Sequence, residues 1–539
     1  MKNCIRFLSV LMALLLVCAA GSAELSAPGV LPLSNETIHF TVGVAKSSVV
    51  EDWNTNAMTL KLQKDLNVEL EFVEYPSDSK ELIQKVELQI MAGGDELPDI
   101  IMHGLGGLAN LVKYGQMGMI LPTTEYYRNL SYFVDETLAT ENIAKEDLLR
   151  FVTCYDGEIY GMFEYNPSLN NCYSASRLMV YEPWLKALNM EKPQTTDEFA
   201  EMLRRFKTED PNGNGINDEI PMMGYASTVK SNFMRALMNP FIVTQEHYWF
   251  MNEGQIDFAA TQEGWKEGIK WIRSLMTEGL ISPLSLTQDA KQLTAVMTEE
   301  PEKVGVVARI SATNLGASDI RRSQYVCLDP LEGPSGQRRA IYDPRVPSIR
   351  MVITKNCKNP EAAFRLGDYM CSEEMSVWNR YGEKGVDWVE PAAGTPGVYE
   401  ALGYPAAITV ISPWGVLQNQ WWAAVGPQIL LNKYNSGQAV ENVEYNGAVA
   451  IGRSMDKAVE YGVTSINGLV YNEQEQEVVT ELQSTIEDYV LQTFSEFITG
   501  VRDVDAEWDN YVKEFDKMGL ADYMATVNSC YARMYGTAP

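Results

Sequence analysis

The chain has 539 residues, 46% of them apolar, 21% charged and 10% aromatic. That is ample material for globular cores, and it excludes a disordered chain, a fibre and a small disulfide-stapled module. Lys and Arg number 43 against 72 Asp and Glu, a net charge of −29, which repels phosphate backbones and argues against a nucleic-acid partner.

The first segment reads as a targeting signal. Lys2 and Arg6 precede an apolar run from Phe7 to Val17, and small residues follow through Ala23. The three-part pattern predicts a secretory signal peptide over residues 1–23 and hence an exported protein. A second option uses Cys18 as a lipid-modified terminus, since Leu15-Leu16-Val17 precede it, although Val17 is bulky where a small residue is usual. Cleavage would leave six widely spaced cysteines, with no C-x-x-C pair for a zinc ribbon or redox site. The histidines, His39, His103 and His247, are too few and too scattered for a histidine-built metal centre.

Alternation over Thr37–Val44 predicts a strand, and Met58 and Leu62 mark a helix over Asn56–Leu66. Val68–Tyr75 reads as a strand and Ser79–Ala92 as a helix stopped by Gly93-Gly94. Pro98–Met102 reads as a short buried strand. This βαβαβ order predicts a parallel sheet with helices on both faces. Ligands of such sheets bind beyond the carboxyl ends of the strands, which singles out His103. Further on, Thr195–Glu198 reads as a capping box before a helix with Phe199, Met202, Leu203 and Phe206 on one face. Strands are expected at Val304–Ile310 and Ile349–Thr354. Helices are expected at Asn359–Met370, at Glu475–Ile498 before Gly500, and from Asp505 to Gly519.

The sharpest motif is Asp210-Pro-Asn-Gly-Asn-Gly-Ile-Asn-Asp-Glu219. Oxygen donors stand at positions 1, 3 and 5 of an EF-hand-like loop, with glycine at position 6 and a main-chain carbonyl available at position 7. Pro221 replaces the acidic residue of position 12, and Asp218 and Glu219 can supply carboxylates instead. Such a hard oxygen set suits a structural Ca²⁺ better than Mg²⁺, which prefers to keep its waters.

Val180–Leu188, Pro193–Phe199 and the Asp210–Pro221 loop, together, resemble the family 1 extracellular solute-binding proteins, in the oligosaccharide-binding lipoprotein branch. Asp52–Asn56, Leu97–Ile101, Asp156–Gly161, Phe497–Gly500, Trp508–Tyr511 and Met518–Leu520 are similar to that branch too, so the resemblance spans nearly the whole mature chain. It implies an α/β, periplasmic-binding-protein-like fold: two doubly wound lobes joined by several hinge crossings. Lobe 1 would comprise residues 24–165 with 346–405, and lobe 2 residues 166–345 with 406–539. It further implies a monomeric, non-catalytic receptor that closes on an oligosaccharide or other polar solute and delivers it to ABC permease subunits in the membrane. Carried over position by position, the calcium ligands would be Asp210, Asn212, Asn214, the Ile216 carbonyl, Asp218 and Glu219.

Sugars offer hydroxyls to planar polar groups and C–H faces to aromatic rings. Loop placement nominates Trp53, Asn54, His103, Glu164, Tyr165, Tyr173, Arg177, Arg345, Trp388 and Trp414 as ligand contacts. Trp271, Trp508 and Tyr511 sit on helical faces and are expected in the core. Of the adjacent pair Trp421-Trp422, one is expected to face ligand. Two other functions use the same features: an exported glycoside hydrolase with paired carboxylates, and a ligand sensor for a membrane signalling partner. No G-x-S-x-G, H-E-x-x-H or Walker motif favours the first.

Overall fold

A computed structural model describes residues 24–168, 177–225, 233–308, 321, 324–412, 414–440 and 459–536. The expected signal peptide, Cys18, Tyr173 and Cys172 lie outside the described residues. The chain divides into two compact units, and it passes between them five times.

Unit 1 takes the residues up to Glu164, then Ser348–Gly382 and Gly415–Ile429. Its sheet has six strands in the order Gln428–Ile429, Met162–Tyr165, Ser348–Ile353, Ile100–Ile101, Ile38–Ala45, Val68–Tyr75. Ile38–Ala45 runs parallel to both Val68–Tyr75 and Ile100–Ile101, as the βαβαβ order requires. The two intervening helices, Ala57–Leu66 and Ser79–Met91, bury Met58, Leu62 and Leu66, and Leu82, Val86 and Ile90. The Asn56 side chain caps the first and Asp78 the second, each accepting main-chain N–H groups that the first turn leaves unpaired. Ser348–Ile353 enters from the carboxyl ends of its neighbours and is therefore antiparallel to them. Asp368 is buried in the same unit and accepts the N–H groups of Tyr132, Phe133 and Val134 at 3.0–3.1 Å, which closes the start of helix Tyr132–Ala139.

Unit 2 takes Tyr165–Pro347, Glu383–Trp414 and the residues from Leu430 on. Its four-stranded sheet is ordered Tyr325–Cys327, Leu178–Tyr181, Val304–Ala308, Ile220–Met223. The last two strands are parallel and the other pairings antiparallel. Helices Thr196–Thr208, Glu263–Thr277, Glu473–Thr499 and Val504–Lys517 pack Phe199, Phe206, Trp265, Phe497, Tyr511 and Phe515 into one core. The long helix ends at Gly500 in the left-handed region, φ 79°, where a side chain would be strained.

The structure corrects several expectations. Thr195 caps its helix by accepting the Glu198 N–H, but the Glu198 carboxylate takes the Gln194 N–H rather than that of Thr195, so the capping box is half made. Trp421 and Trp422 are not on a helix, and both are buried. The unit boundaries also differ from the ranges read in sequence. Gln428–Ile429 pairs into the six-stranded sheet, and Gln418 is hydrogen-bonded to Val49 and Glu51, so Gly415–Ile429 belongs to unit 1. Glu383–Trp414 instead forms its own ladder, Trp388–Val389 with Thr409–Val410, and bridges to Gln438, all within unit 2. The five described cysteines, Cys154, Cys327, Cys357, Cys371 and Cys530, are buried, and no disulfide joins any two of them. No helix among the described residues is long and apolar enough to cross a membrane.

Candidate functional site

Strand direction decides which side chains meet at one rim of the unit 1 sheet. Ile100–Ile101 ends just before His103, Met162–Tyr165 ends at the first chain crossing, and Ser348 begins the antiparallel strand beside it. Ser348 and Glu164 are register partners. The chain thus leaves unit 1 after Glu164 and returns at the residue paired with it. The rim is the carboxyl-end edge at which open α/β sheets bind ligands.

Arg350 lies between the two sequence-nominated rim residues. Its Nη2 donates to Glu164 Oε1 at 2.7 Å. Glu164 Oε2 lies 3.4 Å from the Gln428 amide nitrogen, and Gln428 is fully buried. On the other side, the Leu105 N–H donates to His103 Nδ1 at 2.9 Å, so the ring proton sits on Nε2 and faces Ser79 Oγ at 3.0 Å. Burial, and then the nearby Arg350 cation, lower the His103 pKa, so the imidazole stays neutral. Gly104 after His103 is a steric need: a Cβ there would lie 2.2 Å from the Ile349 carbonyl oxygen. Arg350, Ser79 and Gln428 were not nominated from sequence. Alternation in Ser348–Ile353 points Arg350 outward, and that signal was available.

The other nominated residues are placed differently. Trp53 is only 3% exposed, stacked on Phe72 at 5.8 Å and edge-on to Trp422 at 5.9 Å, so it is a core residue of unit 1 rather than an open stacking platform. Asn54 is exposed beside it, its N–H donating to Asp52. In unit 2, Arg177 is buried, Arg345 is exposed and Tyr165 half-buried. Trp388 is buried, with Tyr434 edge-on at 6.4 Å and the Lys384 ammonium 5.6 Å from its ring. Trp414 is 40% exposed. A groove of about 470 Å³ also opens in unit 1, between Gln84, Glu87, Leu88, Met91, Lys113, Tyr114 and Met117. It flanks the far half of the helix that begins at Ser79 and so is separate from the rim.

The Asp210–Glu219 loop of unit 2 is folded on its own side chains. Asp210 accepts the N–H groups of Asn214 and Gly215, Asn212 accepts that of Asn214, and Asn214 accepts that of Ile216. Gly215 has φ 75°, the left-handed conformation that the turn at position 6 demands. Both carboxylate oxygens of Glu219 are buried, and the main-chain N–H groups of Glu219 and Asn212 lie near them without the alignment of a full hydrogen bond. Burial, with Asp210 and Asp218 nearby, pushes the Glu219 carboxyl up. Among the described residues no three His, Cys, Asp or Glu side chains are grouped to hold a metal ion. A cation here would therefore need asparagine and main-chain oxygens as well as the carboxylates of the loop. The Glu219 carboxylate fits that requirement, because buried carboxylate oxygens without a well-aligned donor are costly unless a cation neutralises them.

A family model described as bacterial extracellular solute-binding protein matches residues 57–377. The fructooligosaccharide ABC transporter substrate-binding protein FusA of Streptococcus pneumoniae is 27% identical over 495 residues, 89% of this chain and 87% of FusA. The structure of FusA in complex with kestose matches with a TM-score of 0.72 at 25% identity, covering 92% of this chain and 99% of that one. A FusA EF-hand mutant in complex with fructo-nystose matches with a TM-score of 0.73 at 24% identity, with the same coverage of both chains.

Proposed function

This chain belongs to the bacterial extracellular solute-binding proteins, and from that membership we propose that it captures a short, uncharged oligosaccharide outside the cell for the permease subunits of an ABC importer. One observation carries the choice of an uncharged ligand. At the unit 1 rim the cation of Arg350 is already paired with Glu164, and His103 is held neutral. The rim therefore offers hydrogen-bonding groups whose charges cancel, which suits sugar hydroxyls better than uronate carboxylates. Fructooligosaccharides such as kestose are the first candidates, because FusA is the fructooligosaccharide-binding relative. Exposed Trp414 is a further candidate contact for a sugar C–H face. The role is non-catalytic, and closure of the two units on the ligand belongs to the same reading.

Asp210, Asn212, Asn214, the Ile216 carbonyl, Asp218 and Glu219 would hold a structural Ca²⁺. When bound, it would supply the positive charge that Glu219 lacks and fix the turn before strand Ile220–Met223. Exported, surface-associated action follows from the family, with lipid attachment through Cys18 as one form of it.

A thermal-shift screen of neutral and uronic oligosaccharides, with and without calcium, tests the proposal. A ligand that binds only the folded chain raises its melting temperature. Kestose or a related neutral oligosaccharide should do so. Stabilisation by galacturonides alone would overturn the uncharged-ligand reading, and release of hydrolysis products would overturn the non-catalytic one.

A further inference from the structure

The Asp210–Glu219 loop is fastened along its outer flank to the segment leading into strand Val304–Ala308. The Ile220 N–H donates to the Lys303 carbonyl at 2.7 Å, and the Asn212 amide is 3.5 Å from the Glu302 carbonyl. Lys303 Nζ stands 3.3 Å from Asp218 Oδ2 and 3.0 Å from Glu299 Oε2, with its side chain 29% exposed. The other oxygen of Asp218 takes a different set of partners. Oδ1 accepts from the Asn214 amide at 3.0 Å and lies 3.4 Å from the Asn212 amide. The Asp218 carboxylate is thus divided, one oxygen turned to the loop's own residues and the other tied to a lysine from a distant stretch of chain.

We infer that Lys303 sets the strength of cation binding by this loop: it is a built-in counter-charge that holds Asp218 when no cation is bound and opposes a divalent cation when one enters. The inference rests on the reading of Asp210–Glu219 as a calcium site. Affinity of an oxygen-lined loop rises with the number of its carboxylates. Asp210, Asp218 and Glu219 bring three negative charges, and the ammonium beside Asp218, shared with Glu299, offsets part of that charge. It also occupies Oδ2, which confines Asp218 to a single oxygen for any cation. Glu299 accepts from the same ammonium at 3.0 Å and is a second tether on the lysine. The result is a weakened site, of the kind suited to the roughly 0.1–1 mM calcium range of extracellular modules.

Calorimetric titration of chelator-stripped protein with calcium chloride, paired with melting curves with and without calcium, tests the assignment. Lys303→Gln should bind calcium more tightly, on the order of tenfold from the loss of one nearby positive charge. It should melt earlier than the wild type without calcium and gain more from calcium. Lys303→Arg keeps the charge and should retain the wild-type calcium affinity. Lys303→Gln with equal or weaker affinity than a calcium-binding wild type overturns this inference alone. If wild type and Lys303→Gln both ignore calcium, the calcium reading itself falls and the inference with it.

Discussion

Arg350→Ala is the substitution that reports most directly on the rim. The guanidinium makes a 2.7 Å hydrogen bond to Glu164, whose side chain is 19% exposed while that of Arg350 is 46% exposed. A charge-assisted hydrogen bond is worth about 1.5–3 kcal/mol, and partial exposure of Arg350 puts this one at the low end. For stability, a further discount for solvent leaves about 1 kcal/mol, a fall of about 2–4 °C in melting temperature for a unit of this size. For binding, loss of one such bond to a sugar hydroxyl is worth about tenfold in Kd. Glu164→Gln should give a comparable loss. The double variant should lose less than the two single losses combined, because the residues share one contact. Calorimetric titration with kestose, alongside scanning calorimetry, separates the two effects. Unchanged affinity in Arg350→Ala, Glu164→Gln and the double variant would refute the assignment of the rim as the ligand site.

Chelation with EDTA should lower the melting temperature, and Asp210→Ala should reproduce the loss and abolish the response to added calcium. Trp53→Ala should cost about 3–5 kcal/mol in stability, as expected for a large aromatic core residue, whereas Trp53→Phe should fold and bind sugar nearly as the wild type does, which denaturant melts and titration together would show. His103 contributes a pH dependence whose sign follows from its lowered pKa: the unfolded chain takes up the proton first as pH falls below about 6.5, so folding stability should decline there, and His103→Gln should flatten that part of the stability–pH curve. Asp368→Asn should destabilise unit 1 by about 2–4 kcal/mol, since an amide NH₂ would replace one acceptor oxygen facing the N–H groups of Tyr132, Phe133 and Val134; chemical denaturation measures it.

The regular elements were legible because they depend on local periodicity. The βαβαβ start, with its helices Ala57–Leu66 and Ser79–Met91, and the long helix before Gly500 all appear where alternation, apolar spacing and glycine stops place them. His103 falls at the rim for the same reason, since strand order fixes which residues follow the strand ends. What sequence could not show depends on partners far along the chain. Trp53 resembles a loop residue until Phe72 and Trp422 close over it. Arg350 gains its meaning only when Ser348 returns beside Glu164, and Gln428 only when its short strand joins the sheet edge. Glu198 chose the Gln194 N–H over that of Thr195, a difference of one residue that a motif cannot resolve. The division of Glu383–Trp414 and Gly415–Ile429 between units was likewise set by pairing rather than by composition.

Titration calorimetry of the purified, calcium-loaded protein with kestose tests most directly whether this chain is a receptor for a neutral oligosaccharide. A receptor of that kind should give a saturable one-to-one isotherm with no continuing heat of turnover, weakened about tenfold by Arg350→Ala. Absence of binding heat with kestose and other neutral oligosaccharides, or a steady heat flow that tracks sugar cleavage, would contradict that role.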